Sequence, residues 1–163
     1  MPVGDDDRSF AVACRRDEGR WEVDLLPPRL TGDLDGLLRV LRQQEGSGDV
    51  LGLVDVADEF FVAVRLSGQT ERLLLSDVTA GVAWDLAGEV LDRLDVETPD
   101  EDELEDVWPV GDLSMFSDLG LDEMELGAVL ADLDAYADEM LLAIARRLGF
   151  AEALERAVEA TPR

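Results

Sequence analysis

The sequence predicts an α+β fold: an antiparallel sheet of about five strands in ββαβββα order, followed by a C-terminal helical tail. Three features carry that expectation. Apolar residues alternate with a period of two in some segments and recur every three to four residues in others, and an acidic, proline-broken run divides the chain. At 163 residues the chain has the size of one ordinary domain, long enough to bury roughly 70% of its unfolded surface.

Within residues 9–15, Phe10, Val12 and Cys14 alternate with Ala11, Ala13 and Arg15. Asp17, Glu18 and Gly19 make a turn, and residues 20–26 alternate again with Trp21, Val23 and Leu25 on one face. Two such runs joined by a short glycine-containing loop form a hairpin, which Pro27-Pro28 ends. Thr31 or Asp33 then caps a helix whose Leu34, Leu37, Leu38 and Leu41 share one stripe; it stops near Gly46-Ser47-Gly48. Residues 50–56 are mostly apolar, residues 57–59 turn, and residues 60–66 place Phe60, Val62, Val64 and Leu66 on one face. Ser67-Gly68 reverses the chain into a strand over residues 70–75. Asp77 caps a helix over residues 78–94, with Ala83, Ala87, Val90 and Leu94 on its inner stripe. The order places both helices on a single face of the sheet. Phe60-Phe61 sends one ring to each face, one into the core and the other under the tail or into an oligomer interface.

The expected organisation is a sheet domain over residues 8–94, an acidic linker over 95–106, and a helical tail over 107–160 packed on the sheet domain. Eight of the twelve linker residues are acidic and Pro99 interrupts any helix, the pattern of a solvated segment. Structure resumes at Val107-Trp108-Pro109-Val110-Gly111. Three short helices follow, marked by Leu126, Val129, Leu130 and Leu133, by Tyr136, Met140, Ile144 and Leu148, and by Phe150, Leu154 and Val158.

Charge and missing residue types exclude several functions. Acids outnumber bases 39 to 14, for a net charge of −25, and the chain has no histidine, lysine or asparagine. Arginine as the sole base fits coding bias in a GC-rich genome, although a halophile would share the acidity. No apolar run reaches 18 residues, so no membrane span is expected. The acidic N-terminus is unlike a secretory signal, which points to a cytoplasmic protein. Cys14 is the single cysteine and has no disulfide partner in the chain. Without imidazole, Ser-His-Asp and Cys-His sites cannot be built, and a zinc site lacks ligands. Nucleotide-binding glycine fingerprints are absent too. No cofactor is expected, and carboxylate chemistry is what remains.

Asp33-x-Asp35-Gly36 has the beginning of a calcium loop, but Arg42 stands where the bidentate glutamate belongs. Asp122, Glu123 and Glu125 fit the first turn of a helix, where the dipole favours acids. Cys14 reads as a small buried hydrophobe. The candidate partner-binding residues are Asp100, Glu101, Asp102 and Glu103, with Trp108 just beyond them. The acidic run is either a plain linker, a loose Mg²⁺ binder or a dock for a basic partner. Trp108 either plugs the tail onto the sheet or anchors that partner.

Residues 10–26 and 50–64 carry a resemblance, as does Ser117-Asp118-Leu119-Gly120-Leu121 through Glu125-Leu126-Gly127. Asp138-Glu139-Met140-Leu141 and Arg147-Leu148-Gly149-Phe150 extend it. Together they resemble the actinobacterial tRNA adenosine deaminase-associated protein family across about residues 8–158. The resemblance implies association with the deaminase, physical or genetic, and brings no catalytic residues. A zinc deaminase needs H-x-E or C-x-E with P-C-x-x-C, which this chain lacks. A chain this acidic is also repelled by the tRNA backbone. We therefore expect a non-catalytic accessory or regulatory protein that binds a basic partner surface, such as a tRNA adenosine deaminase, without touching nucleic acid or membrane. The alternatives are a structural homodimerisation module, since the element order is similar to roadblock and longin scaffolds, and a carboxylate- and Mg²⁺-dependent enzyme.

Overall fold

A computed structural model describes residues 9–44, 49–100, 102, 108–132 and 134–160. Gly46-Ser47-Gly48, Glu101, Glu103, Val107 and Leu133 lie outside the described residues. Local chemistry sets the first hairpin. Strand β1 (Phe10–Asp17) and strand β2 (Arg20–Leu25) join through Glu18 and Gly19, both at positive φ (53° and 82°), the backbone that a tight two-residue hairpin turn requires. A short 3₁₀ turn, Pro28–Gly32, leads into helix α1 (Leu34–Gln43). Asp33, rather than Thr31, caps it: its carboxylate accepts the Gly36 N–H at 3.0 Å. Three strands follow, β3 (Val50–Val56), β4 (Phe60–Ser67) and β5 (Thr70–Leu75), each antiparallel to the last.

The expected helix over residues 78–94 is broken. Residues Val78–Val82 form a 3₁₀ turn capped by Asp77, and helix α2 begins only at Asp85 and runs to Leu94. Trp84 between them is extended (φ −122°, ψ 127°), which takes Ala83 off the inner stripe. The buried residues of α2 are Leu86, Ala87, Val90 and Leu91.

As expected the sheet is antiparallel, and among the described residues it has six strands, in the order β2-β1-β3-β4-β5-β6. The sixth, β6 (Val110–Gly111), pairs with Leu74 and Leu75. Gly111 sits at φ 120° against the backbone of Leu73 and Leu74, where a Cβ would collide. Beyond it come helices α3 (Glu123–Leu130), α4 (Ala137–Leu148) and α5 (Ala151–Glu159).

Helices α1 and α2 cover one face of the sheet, over Ala11, Ala13, Val54, Val62 and Val64 among others. On that face Glu71 of β5 receives both Arg42 of α1 and Arg93 of α2, clamping the two helices to one strand. The tail covers the opposite face, so helices occupy both sides. Val12, Cys14, Leu53, Phe61, Ala63 and Leu74 there pack against Phe116 and the three tail helices. Phe60 belongs to the first core and Phe61 to the second, under the tail.

Gly52 of β3 sits where α1 crosses the sheet, and an added Cβ would strike the Leu41 Cδ1 methyl. Gly52→Val should therefore lower stability by about 1–3 kcal/mol, read as a fall in the urea midpoint at unchanged slope. The loss should shrink when Leu41 is cut to Val in the same chain.

Candidate partner-docking surface

The buried reactive groups serve the fold. Cys14 is fully buried, and burial first, then the Asp24 charge, pushes its thiol far above the usual range. It stays protonated and acts as a small hydrophobe. Asp122 caps α3 by accepting the Glu125 N–H at 2.8 Å. Among the described residues no three or more acids or cysteines converge as a metal would need.

Among the described residues Arg65 of β4 is the buried cation. Its Nε donates to Asp49 Oδ2 (2.9 Å), while Nη1 and Nη2 fork onto the two carboxylate oxygens of Asp118 (2.6 and 2.9 Å). Nη1 also donates to the Met115 carbonyl at 2.6 Å. Asp118 is thereby held below the usual carboxylate range, the Arg65 hydrogen bond being the main cause. For Asp49, burial opposes ionisation, but hydrogen bonds from Ser67 and Arg65 outweigh it. One guanidinium thus fastens the tail's first loop to the sheet. A cavity of about 420 Å³ opens beside it, lined by Arg16, Trp21 and Leu119 among others.

At the other end of the sheet the β3–β4 turn holds two non-glycine residues at positive φ, Ala57 (53°) and Asp58 (60°). Such a conformation persists only when its surroundings impose it. Here Ser9 Oγ accepts the Ala57 N–H and Asp55 Oδ1 accepts the Asp58 N–H, each at 2.8 Å. Asp58 in turn accepts the Asp138 N–H at the start of α4 (2.9 Å). Asp55 is 2% exposed. Burial, then the Asp58 charge, pushes its carboxyl up to about 8. Asp138 is raised as well, by burial and by its pairing with Asp58.

The outer surface of the α1/α2 side is of a different kind. Val82 and Trp84 are each 37% exposed, and Trp84 lines two adjoining grooves. One, of about 240 Å³, is bordered by Glu59, Asp77 and Thr79; the other, of about 470 Å³, by Asp85, Glu89 and Asp92. The Trp84 indole is supported from beneath by Phe60, with ring centroids 5.9 Å apart. Of the residues singled out from sequence, Asp100 and Asp102 are exposed. Trp108 is 43% exposed and its carbonyl accepts the Val78 N–H at 2.9 Å. The backbone of Trp108 therefore ties the returning chain to the same 3₁₀ turn that presents Val82 and Trp84. Sequence reasoning missed Trp84 because it lay inside an assumed continuous helix; a lone large aromatic among Ala, Gly and Val was the available signal.

The family described as Rv3753c-like tRNA adenosine deaminase-associated protein matches residues 9–151 of this chain. Protein Rv3753c of Mycobacterium tuberculosis is 46% identical over 160 residues, spanning 97% of this chain and 92% of that protein. No solved structure matches the chain.

Asp55 binds a proton in the folded chain that it loses near pH 4 when unfolded, so stability falls as pH rises from about 4 to about 8 and is level above. Asp55→Asn, which retains the acceptor for the Asp58 N–H, should remove that fall. Urea titrations should show the variant gaining on the wild type by up to about 1.4 kcal/mol per pH unit across the window. Arg65→Met should cost about 2–3 kcal/mol, because a carbonyl and two carboxylates lose their donor.

Proposed function

We propose that this chain, which belongs to the Rv3753c-like tRNA adenosine deaminase-associated protein family, is a non-catalytic cytoplasmic accessory protein that docks on a basic surface of a tRNA adenosine deaminase. The distribution of charge carries the proposal. Arg15, Arg42, Arg65, Arg72, Arg93 and Arg147 are all paired with carboxylates of the chain itself. Asp85 and Asp92 of α2, then Asp95, Glu97, Asp100 and Asp102, present exposed carboxylates along one stretch of chain. Such a surface repels the phosphate backbone and attracts a protein face built to bind it. A deaminase that holds tRNA has such a face, so an acidic accessory protein docked there competes with tRNA.

Charge complementarity accelerates encounter and is weakened by salt, since exposed charges are screened beyond about 8 Å at physiological ionic strength. An aromatic anchor acts mainly on dissociation. With the deaminase of the same organism immobilised, replacing Asp100, Glu101, Asp102 and Glu103 together by Ser should slow association about three- to tenfold and flatten its salt dependence. Trp108→Ala should mainly speed dissociation. Absence of any complex at low salt would overturn the proposal, as would inosine formation in tRNA by this chain alone.

A further inference from the structure

The two grooves that meet at Trp84 have walls of one sign. Every charged side chain lining them is acidic: Glu59 and Asp77 on one, Asp85, Glu89 and Asp92 on the other. The wall they share is apolar, formed by Val82, Ala83 and Trp84. Glu89 adds an independent observation. Its Oε2 is buried and accepts no hydrogen bond, a state that costs free energy until a donor arrives. Burial, then the charges of Asp33, Asp35 and Asp85, outweighs the Leu34 N–H and lifts its carboxyl above the usual range. A second copy meeting this one groove to groove would bring acid against acid, and an anionic ligand would meet the same repulsion. A cation paired with the Glu89 carboxylate relieves that field. Next to an exposed indole the best fit is guanidinium, which is planar, stacks on aromatic faces and remains charged.

We propose that the Trp84 grooves dock an arginine-bearing segment of the basic protein partner. The guanidinium stacks on the Trp84 indole and pairs with Glu89 in the larger groove, while an adjacent apolar side chain rests against Val82 and Phe60 in the smaller one. The inference rests on the accessory-protein reading above and assigns the site through which that partner is held. Trp84 supplies buried area and Glu89 supplies selection for a cation. The neighbouring acids steer the approach.

The chain labelled with 5-fluorotryptophan gives three ¹⁹F resonances, for Trp21, Trp84 and Trp108, assigned by single Trp→Phe replacements. On addition of the deaminase of the same organism, the Trp84 resonance should shift or broaden. Trp84→Ala should weaken the complex about 30-fold, mainly through faster dissociation, as expected of an interface hot spot. Glu89→Gln should weaken it about fivefold, the size of a partly exposed charged contact. Trp84→Phe should stay within about threefold, because a stacking face is retained. If Trp84→Ala fails to fold in a urea titration, the Trp84 resonance and Glu89→Gln decide the matter. A complex that forms with the Trp84 resonance unmoved and with Glu89→Gln at wild-type affinity would overturn the groove assignment and leave the accessory function standing. No complex at low salt would overturn both. Self-association in sedimentation that Trp84→Ala abolishes would give the grooves to a second copy and overturn the assignment to a basic segment.

Discussion

Strands β3 and β4 are buried along essentially their whole length, on both faces. An antiparallel sheet commonly leaves one face to water; this one has no polar face to offer. Val54 and Val62 look toward α1 and α2, while Leu53, Phe61 and Ala63 look the other way. A second helical layer is therefore a requirement of the sheet, and α3, α4 and α5 supply it. The short tail helices are dependent in turn, since helices of eight to twelve residues gain most of their stability from packing an apolar face.

Polar contacts fix where that second layer sits. Arg65 holds the loop before α3, and Asp58 caps the first turn of α4 from the opposite end of the same hairpin. On the far edge, the Trp21 indole N–H of β2 donates to the Leu148 carbonyl at 3.0 Å and its ring packs on Phe150. Apolar burial supplies most of the cohesion, but it is non-directional. These three attachments, with their defined donors and acceptors, set the register.

The same economy of cations shapes the outer surface. The chain has 14 bases against 39 acids, and six arginines lie in ion pairs within the fold. Exposed acids outnumber the arginines that remain on the surface, and around Trp84 acid frames an apolar centre. Acidity alone is compatible with a solvated surface. Acidity around an exposed tryptophan, with a carboxylate oxygen lacking a donor, has the makeup of a protein interface: an aromatic anchor inside a charged rim.

The sequence by itself determined the elements. Period-two alternation marked β1, β2 and β4, an apolar run marked β3, the turn at Ser67-Gly68 marked the start of β5, the leucine spacing marked α1, and tail motifs such as Arg147-Leu148-Gly149-Phe150 carried the family. Each of these is a local property, written in side chains a few residues apart. The break at Trp84 was not legible, because Val78 to Leu94 has an acceptable helical pattern and the kink comes from Asp77 capping a 3₁₀ turn that the Trp108 carbonyl also holds. Nor was the two-residue strand at Val110, which exists only because Leu74 and Leu75 present an open edge. Asp55, Asp58 and Asp138 gave no signal in sequence, since 80 residues separate the last two. The raised carboxyls of Asp55 and Asp138 follow first from burial, a quantity that only the assembled fold possesses. The acidic run over residues 95–106 was visible as charge. The tertiary structure alone decided that Trp108 meets the 3₁₀ turn just before Trp84, through one backbone hydrogen bond that joins distant stretches of chain.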